Sequence, residues 1–314
     1  MIVTLTPNPS VDRTVHIDAL PRGEVIRARQ SRSEPSGKGV NVALALRAHR
    51  HPVLAVLPVG GPVGAKLAGM LRAYGVAHRT VPVAGDIRSN VSLVEPDGTV
   101  TKVNEPGPVL DGDEVAALIG AALTGADGVT WLAACGSLPP GAPADLYARL
   151  VAPARRRGVR VAVDSSGPAL AAAVAAGPDL VKPNAHELAE VTGRPLRTLG
   201  DVVDAAAQVR GRGAGAVLAS LGADGAVLLD DGGARHGEAP VATVVSAVGA
   251  GDALLAGFLS AGGRGPEALR AAVSWGAAAV QHEGTLLAAG EWSGEVTVTG
   301  EVDRSRQLRE PVGA

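Results

Sequence analysis

The chain of 314 residues carries 29 Lys and Arg against 31 Asp and Glu, a formal net charge of −2 that supplies no basic field for nucleic-acid phosphates. Its 46% hydrophobic residues provide ample core, which excludes a disordered chain, and its few aromatics (Trp 3, Tyr 2, Phe 1) exclude a base-stacking platform. The single Cys135 makes no internal disulfide or thiolate cluster, and no run approaches the ~20 apolar residues of a membrane helix, so we expect a soluble, cytoplasmic protein.

Short Val/Leu-rich runs at residues 2–6, 53–59, 129–135, 159–163, 180–182, 216–221 and 226–229 alternate with stretches of helical period, such as 41–49, 113–123, 202–210 and 253–261. That alternation predicts βαβ units, hence an α/β fold with a doubly wound, mostly parallel sheet sandwiched by helices. Two segments, 11–30 and 87–104, lack helical period and read as solvent-facing strands. The second contains Glu95-Pro96-Asp97-Gly98-Thr99, the chemistry of a short hairpin turn. Pairing Glu95 with Thr99 sets Ser92 against Lys102 and Asn90 against Asn104. Arg88, Asn90, Ser92, Lys102 and Asn104 then share one face. Such a face suits a lid over an anionic polar ligand, and equally a solvated edge hairpin.

Generic surface charge in this chain is made with arginine: only Lys38, Lys66, Lys102 and Lys182 are lysine. Lys66 lies in an ordinary Ala/Leu helical pattern, whereas the other three fall in segments with chemical potential. Val248-Gly249-Ala250-Gly251-Asp252 runs into an apolar helical stretch, so the N–H groups of Gly249, Ala250 and Gly251 open a helix N-terminus as an anion hole. Asp252 at its rim could accept a hydroxyl proton beside a phosphoryl group. The same residues also describe an ordinary Asp cap after a glycine turn. Ser36-Gly37-Lys38-Gly39-Val40-Asn41 again opens a helix with glycines, Lys38 and Asn41 being about one turn apart. It matches neither a Walker loop nor G-x-G-x-x-G.

Lys182-Pro183-Asn184-Ala185-His186-Glu187 and Ser220-Leu221-Gly222-Ala223-Asp224-Gly225 each follow an apolar strand, where ligands of open parallel sheets sit. Lys182 and Asn184 could touch phosphate oxygens, and Glu187 could hold Mg²⁺ through water. Alternatively Asn184 and Glu187 form a helix cap and 220–225 a plain hairpin turn. The histidines show no zinc-binding spacing, no nucleophile elbow occurs, and Trp131, Trp275 and Trp292 read as packing residues.

One at a time these motifs are weak, but their order is specific. Thr6-Pro7-Asn8-Pro9-Ser10-Val11-Asp12, Gly37-Lys38-Gly39-Val40-Asn41, Arg88-Ser89-Asn90, Asn104-Glu105-Pro106-Gly107, Gly136-Ser137-Leu138-Pro139, Asp164-Ser165-Ser166-Gly167, Lys182-Pro183-Asn184, Ser220-Leu221-Gly222 and Gly249-Ala250-Gly251-Asp252 together resemble the PfkB, ribokinase-like, sugar kinases. The likeness runs from Thr6 to about Gly284 and is strongest to the 1-phosphofructokinase and tagatose-6-phosphate kinase branch. It implies a single kinase domain over 1–314, with a small β lid from about 10–30 and 86–105 that in relatives often clasps a second copy as a homodimer. It also implies ATP-dependent phosphorylation of a ketohexose phosphate, fructose 1-phosphate first, with tagatose 6-phosphate or fructose 6-phosphate as alternatives. By likeness Asp252 is the base and Gly249, Ala250 and Gly251 the anion hole. Asp12, Gly37, Lys38 and Asn41 hold sugar hydroxyls, while Arg88, Asn90, Lys102 and Ser137 hold the phosphate already present. Lys182, Asn184, Glu187 and Ser220, Leu221, Gly222, Ala223, Asp224 and Gly225 serve ATP and Mg²⁺.

Three positions depart from the family pattern: Ser36 for a first glycine, Ile87 for a threonine and Ala253 for a serine or threonine. If position 36 needs a positive φ, its loop is strained. A reading of a different class is a non-catalytic sugar-phosphate-binding regulator on the same scaffold.

Overall fold

A computed structural model describes residues 1–125, 128–282 and 294–313. In chain order it contains β1 (Ile2–Leu5), β2 (Ser10–His16), β3 (Gln30–Ser36), α1 (Lys38–Ala48), β4 (Val53–Val59), α2 (Gly61–Ala73), β5 (Ala77–Pro82), β6 (Arg88–Val94), β7 (Val100–Val103) and α3 (Gly112–Leu123). There follow β8 (Trp131–Cys135), α4 (Ala148–Arg155), β9 (Arg160–Asp164), α5 (Gly167–Ala175), β10 (Leu180–Val181), α6 (Ala185–Thr192), β11 (Leu196–Thr198) and α7 (Leu199–Gly211). The chain closes with β12 (Val217–Ser220), β13 (Ala226–Asp230), β14 (Gly233–Glu238), α8 (Ala250–Ser260), α9 (Gly265–Ala279), β15 (Thr297–Thr299) and β16 (Gln307–Val312).

Ten strands form one sheet in the order β15-β14-β13-β12-β10-β9-β8-β1-β4-β5. From β12 to β5 every pairing is parallel, and β13, β14 and β15 extend it antiparallel. Because successive side chains of a strand point to opposite faces, each apolar run feeds two cores. Val3, Leu132 and Ala134 pack on one side with α3 to α7, while Ile2, Trp131, Ala133 and Cys135 pack on the other with α1, α2, α8 and α9. Reciprocal capping boxes start α3 (Asp111, Glu114), α6 (Asn184, Glu187) and α7 (Thr198, Asp201), fixing where these helices leave their loops.

A separate four-stranded sheet, in the order β3-β2-β6-β7, forms the lid. The hairpin register is the one its turn chemistry predicts: Ser92 faces Lys102, Val91 faces Val103, and the Glu95 N–H reaches Thr99 O at 3.0 Å. Two expectations need correction. The β6–β7 ladder ends at Val91 with Val103, so Asn90 does not pair with Asn104; beyond it the Glu105 carboxylate accepts the Ser89 N–H, and on the other side of β6 Asn90 pairs with Asp12 of β2. The first lid segment is not one continuous strand either. β2 ends at His16, the chain turns through Pro21 and Gly23 (φ 81°), and β3 runs on to Ser36. Trp131 is buried and Trp275 stacks on His49 at 3.7 Å, both packing roles; Trp292 and the Gly284 end of the motif series lie outside the described residues.

Candidate active site

The carboxyl ends of β1, β8, β9, β10 and β12 converge with the N-termini of α1 and α8, the region where open α/β sheets bind ligands. Gly249 caps α8 in the left-handed region (φ 80°), and Asp252 sits in the first turn, 7% exposed. The amide Nδ2 of Asn41, on α1, donates to Asp252 Oδ2 at 2.7 Å, so the helix opened by the Gly37 loop orients the acid opened by the second glycine loop. Burial raises the Asp252 carboxyl to about 7, helped by the Asp164 carboxylate; the Asn41 donor and the Lys38 and Lys182 ammonium groups oppose the rise.

Gly37 adopts φ 117°, and a Cβ there would lie 2.8 Å from Thr6 Cγ2; at Gly39 a Cβ would lie 2.4 Å from Thr6 Oγ1. Both glycines thus let α1 start hard against the end of β1. Ser36 keeps a negative φ and closes β3 opposite Ser10, so the serine imposes no backbone strain.

Asp164 ends β9, wholly buried, and binds two cations: Lys38 Nζ at 2.7 Å and Lys182 Nζ at 3.1 Å. Burial by itself would push its carboxyl up, but Lys182 and Lys38 hold it below the ordinary range. Lys38 also reaches Glu187 at 3.3 Å; burial works against its charge, yet Asp164, Glu187 and Asp252 together raise it above an ordinary lysine. A buried carboxylate needs such partners, which is why Lys38 turns toward Asp164 and Glu187 and not toward Asp12. Lys182 Nζ stands 3.5 Å from where a Gly251 Cβ would be, beside the mouth of α8.

On the lid side, Asp12 Oδ1 accepts from Ser10 Oγ at 2.6 Å and Asn90 Nδ2 at 2.9 Å. Arg88 donates to the carbonyls of Asn8 (3.0 Å) and Glu105 (3.2 Å), and Asn8 Nδ2 reaches Pro106 O and Ser137 Oγ. Asn8, Arg88, Pro106 and Ser137 line a cleft of about 610 Å³ together with Ser165 and Ser166. Ser165 follows Asp164 directly, and the Gly136 N–H donates to Asp164 O at 2.8 Å, so the cleft and the charge cluster share a floor. Lys102 does not join them: it is exposed on β7 and makes no ion pair among the described residues.

At the third corner, 220–225 is a hairpin turn between antiparallel β12 and β13, with the Leu221 N–H donating to Gly225 O at 2.8 Å. Gly222 and Ala223 are exposed. Asp224 is not: its carboxylate is buried against Arg306 and the Arg309 N–H, so its side chain faces the C-terminal strand and not a ligand. Asn184 and Glu187 likewise complete the α6 capping box, Asn184 Oδ1 accepting the Glu187 N–H and Glu187 Oε2 the Asn184 N–H, both at 2.8 Å.

A model of the pfkB family carbohydrate kinases matches residues 6–290. The chain belongs to the PfkB family of carbohydrate kinases. Among its relatives, the 1-phosphofructokinase of Rhodobacter capsulatus is 42% identical over 264 residues (83% of each chain), and that of Haloferax volcanii 39% over 291 residues, covering 91% of this chain and 93% of the other. Among solved structures, phosphofructokinase-2 from Escherichia coli in complex with potassium superposes with TM-score 0.85 at 34% identity, covering 91% and 94% of the two chains. This PfkB kinase gathers Lys38, Lys182 and Glu187 around Asp164, with Asp252 and Asn41 beside them, while Arg88 and Ser137 line the cleft and Asp12 pairs with Asn90 on the lid. Sequence reasoning gave Asp164 and Asn8 no role, although both lie within the quoted motifs. The signal for Asp164 was available: an acid closing an apolar strand, at the sheet edge where the lysines also fall.

Proposed function

We propose that this PfkB kinase transfers the γ-phosphoryl group of ATP to the 6-hydroxyl of fructose 1-phosphate, giving fructose 1,6-bisphosphate and ADP. The observation that carries this reading is Asp252, raised to about 7, oriented by Asn41 and set in the first turn of α8. The substrate oxygen attacks Pγ as its proton passes to Asp252, and the bond from Pγ to the bridging oxygen of ADP breaks. Since the transition state is loose, positioning and charge stabilisation supply most of the rate. The first-turn N–H groups of α8 have no acceptor within the helix, so with Lys182 beside Gly251 they receive the charge on the transferring group.

The phosphate already on the sugar lies by Arg88, Asn8 and Ser137. Arg88 Nε, Asn8 Oδ1, Asn90 Oδ1 and Asn41 Oδ1 are buried without hydrogen-bond partners. Such atoms cost about 1–3 kcal/mol each, and the two that belong to residues lining the cleft, on Arg88 and Asn8, support a polar, hydroxyl-rich substrate there. ATP takes the other end, over the exposed tip of the 220–225 turn. Lys38 belongs with that end, through Glu187.

Among the described residues no group of three His, Cys, Asp or Glu could hold a metal, and both Glu187 oxygens are engaged. That donor set fits Mg²⁺ carried on nucleotide phosphates with its waters toward Glu187. Held through Glu187, such an ion would supply charge neutralisation to the phosphates. We place the enzyme in the cytoplasm; no described helix is long and apolar enough to cross a membrane. The exposed Val100 and Val103 on edge strand β7 support pairing of two lids in a homodimer.

A second reading has one observation behind it: a solved neighbour at 32% identity, Escherichia coli phosphofructokinase-2, is described in complex with fructose-6-phosphate. ADP release measured with fructose 1-phosphate, fructose 6-phosphate, tagatose 6-phosphate and ribose separates the two. The proposal expects the highest kcat/KM with fructose 1-phosphate; a preference for fructose 6-phosphate selects the second reading, and no turnover with any sugar selects a non-catalytic binder.

A further inference from the structure

The family match ends at residue 290, yet the chain beyond it is built into the fold at one corner of the site. β16 pairs antiparallel with β11, Leu308 and Val312 are buried, and the segment before it accepts the N–H groups of Leu199 (Arg306 O, 2.9 Å) and Gly200 (Arg304 O, 3.1 Å) at the start of α7. From this anchored position the tail reaches the 220–225 turn. The Asp224 carboxylate, 2% exposed, accepts the Arg309 N–H at 2.8 Å and lies 3.4 Å from Arg306 Nη2 and 3.7 Å from Arg309 Nε. Arg306 is held from its other side by Glu238 of β14 at 2.8 Å, and His236 of the same strand sits 2.7 Å from Asp224 O. Every side-chain partner of this buried acid found among the described residues comes from the C-terminal segment.

The turn is anchored at its two ends and exposed only at its tip. Gly222 (φ 58°) and Ala223 are exposed, Gly225 (φ 76°) lies against the Gly237 carbonyl, and Asp224 is the one charged side chain that ties the tip to the rest of the fold. A buried carboxylate that lost its cation would reopen toward water, taking the turn with it.

We infer that the C-terminal strand is a strut for the nucleotide turn, with Arg306 and Arg309 as positioning residues that hold residues 220–225, through Asp224, in the shape that receives ATP. The inference rests on reading that turn as the nucleotide side. The test is the affinity of Mg-ADP by calorimetry, together with separate KM values for ATP and the phosphosugar, in the full chain and in Arg306→Ala, Arg306→Lys, Glu238→Gln and Ala223→Glu. Loss of one charge-assisted contact predicts that Arg306→Ala weakens ADP binding about tenfold and raises the ATP KM to match, with the phosphosugar KM unmoved. Arg306→Lys restores part of the affinity. Glu238→Gln, on a side chain more than a third exposed at the end of β14, weakens it in the same direction by less. Ala223→Glu, which only adds negative charge at the exposed tip, weakens nucleotide binding whether or not the strut exists. If Arg306→Ala and Glu238→Gln bind ADP like the parent while Ala223→Glu does not, the strut is wrong and the nucleotide turn stands. If the phosphosugar KM moves as much as the ATP KM, the contact is merely structural and the inference fails. If Ala223→Glu also binds normally, the nucleotide reading of the turn falls, and the strut with it.

Discussion

Asp252 is placed where its ionised form is uncomfortable, and that discomfort has measurable consequences. Its carboxyl is raised to about 7, burial being the main cause and Asp164 the second. A base must be ionised to act, so the acid limb of the kcat/KM profile should fall with an apparent pKa near 7. Asn41 stabilises the ionised form, and removing its donor in Asn41→Leu should move that limb to higher pH. Asp164→Asn should move it lower, because a like charge is removed and Lys38 and Lys182 are left facing Asp252. Limbs that do not move in opposite directions would contradict the electrostatic assignment. Stability carries the converse sign. A folded carboxyl above its unfolded value binds more protons in the native state, so its ionisation costs stability as pH rises from about 4 toward 7. Asp252→Asn should therefore melt at a higher temperature than the parent at pH 8, the difference shrinking at pH 4; a lower melting temperature at pH 8 contradicts the shift. The lysine pattern acquires its meaning here too. Lys38 and Lys182 share one buried aspartate, whereas Lys102, which belongs to the same set by sequence order, stands apart on the lid.

The elements that make the site are helix starts pressed against strand ends. α1 approaches β1 closely enough that Gly39 has no room for a side chain, Thr6 Oγ1 and Leu5 O lying 2.4 Å and 3.0 Å from its would-be Cβ. Gly39→Ala should lower stability by about 1–3 kcal/mol, read as a fall in Tm, and should raise KM for the phosphosugar because Asn41 moves with the helix. An unchanged Tm would mean that the contact relaxes freely. At this scale the sequence was legible wherever pattern and chemistry agreed. The run 53–59 is β4 residue for residue, and the Pro96-Asp97-Gly98 turn sets the lid register. β3 escaped because Gln-Ser-Arg-Ser-Glu-Pro-Ser has no apolar alternation. It is a strand through its pairing with β2, a tertiary cause that no local window contains. The same holds for Asp224, whose partners stand more than 80 residues away in the chain.

At the scale of the whole molecule, two layers of helices on a mostly parallel sheet carry the charge cluster, and the small lid sheet supplies Arg88 to the cleft wall and pairs Asn90 with Asp12. The fold class was readable from the βαβ rhythm, and the order of the glycine motifs pointed to the family. What pattern could not supply was who pairs with whom in the charge cluster, because a buried pair such as Lys38 with Asp164 joins residues 126 apart. If the lid also joins two copies, a charge on its exposed apolar edge should part them. Val103→Asp should sediment as a monomer where the parent sediments as a dimer, and a parent that is itself monomeric at micromolar concentration removes the clasp. The central claim is that Asp252 takes the proton as ATP phosphorylates a ketohexose phosphate. Its most direct test is the turnover of Asp252→Asn with ATP and fructose 1-phosphate, measured beside its affinity for Mg-ADP. The account predicts kcat lower by about 10²–10⁴-fold with nucleotide affinity near that of the parent; turnover within a few-fold of the parent would contradict it.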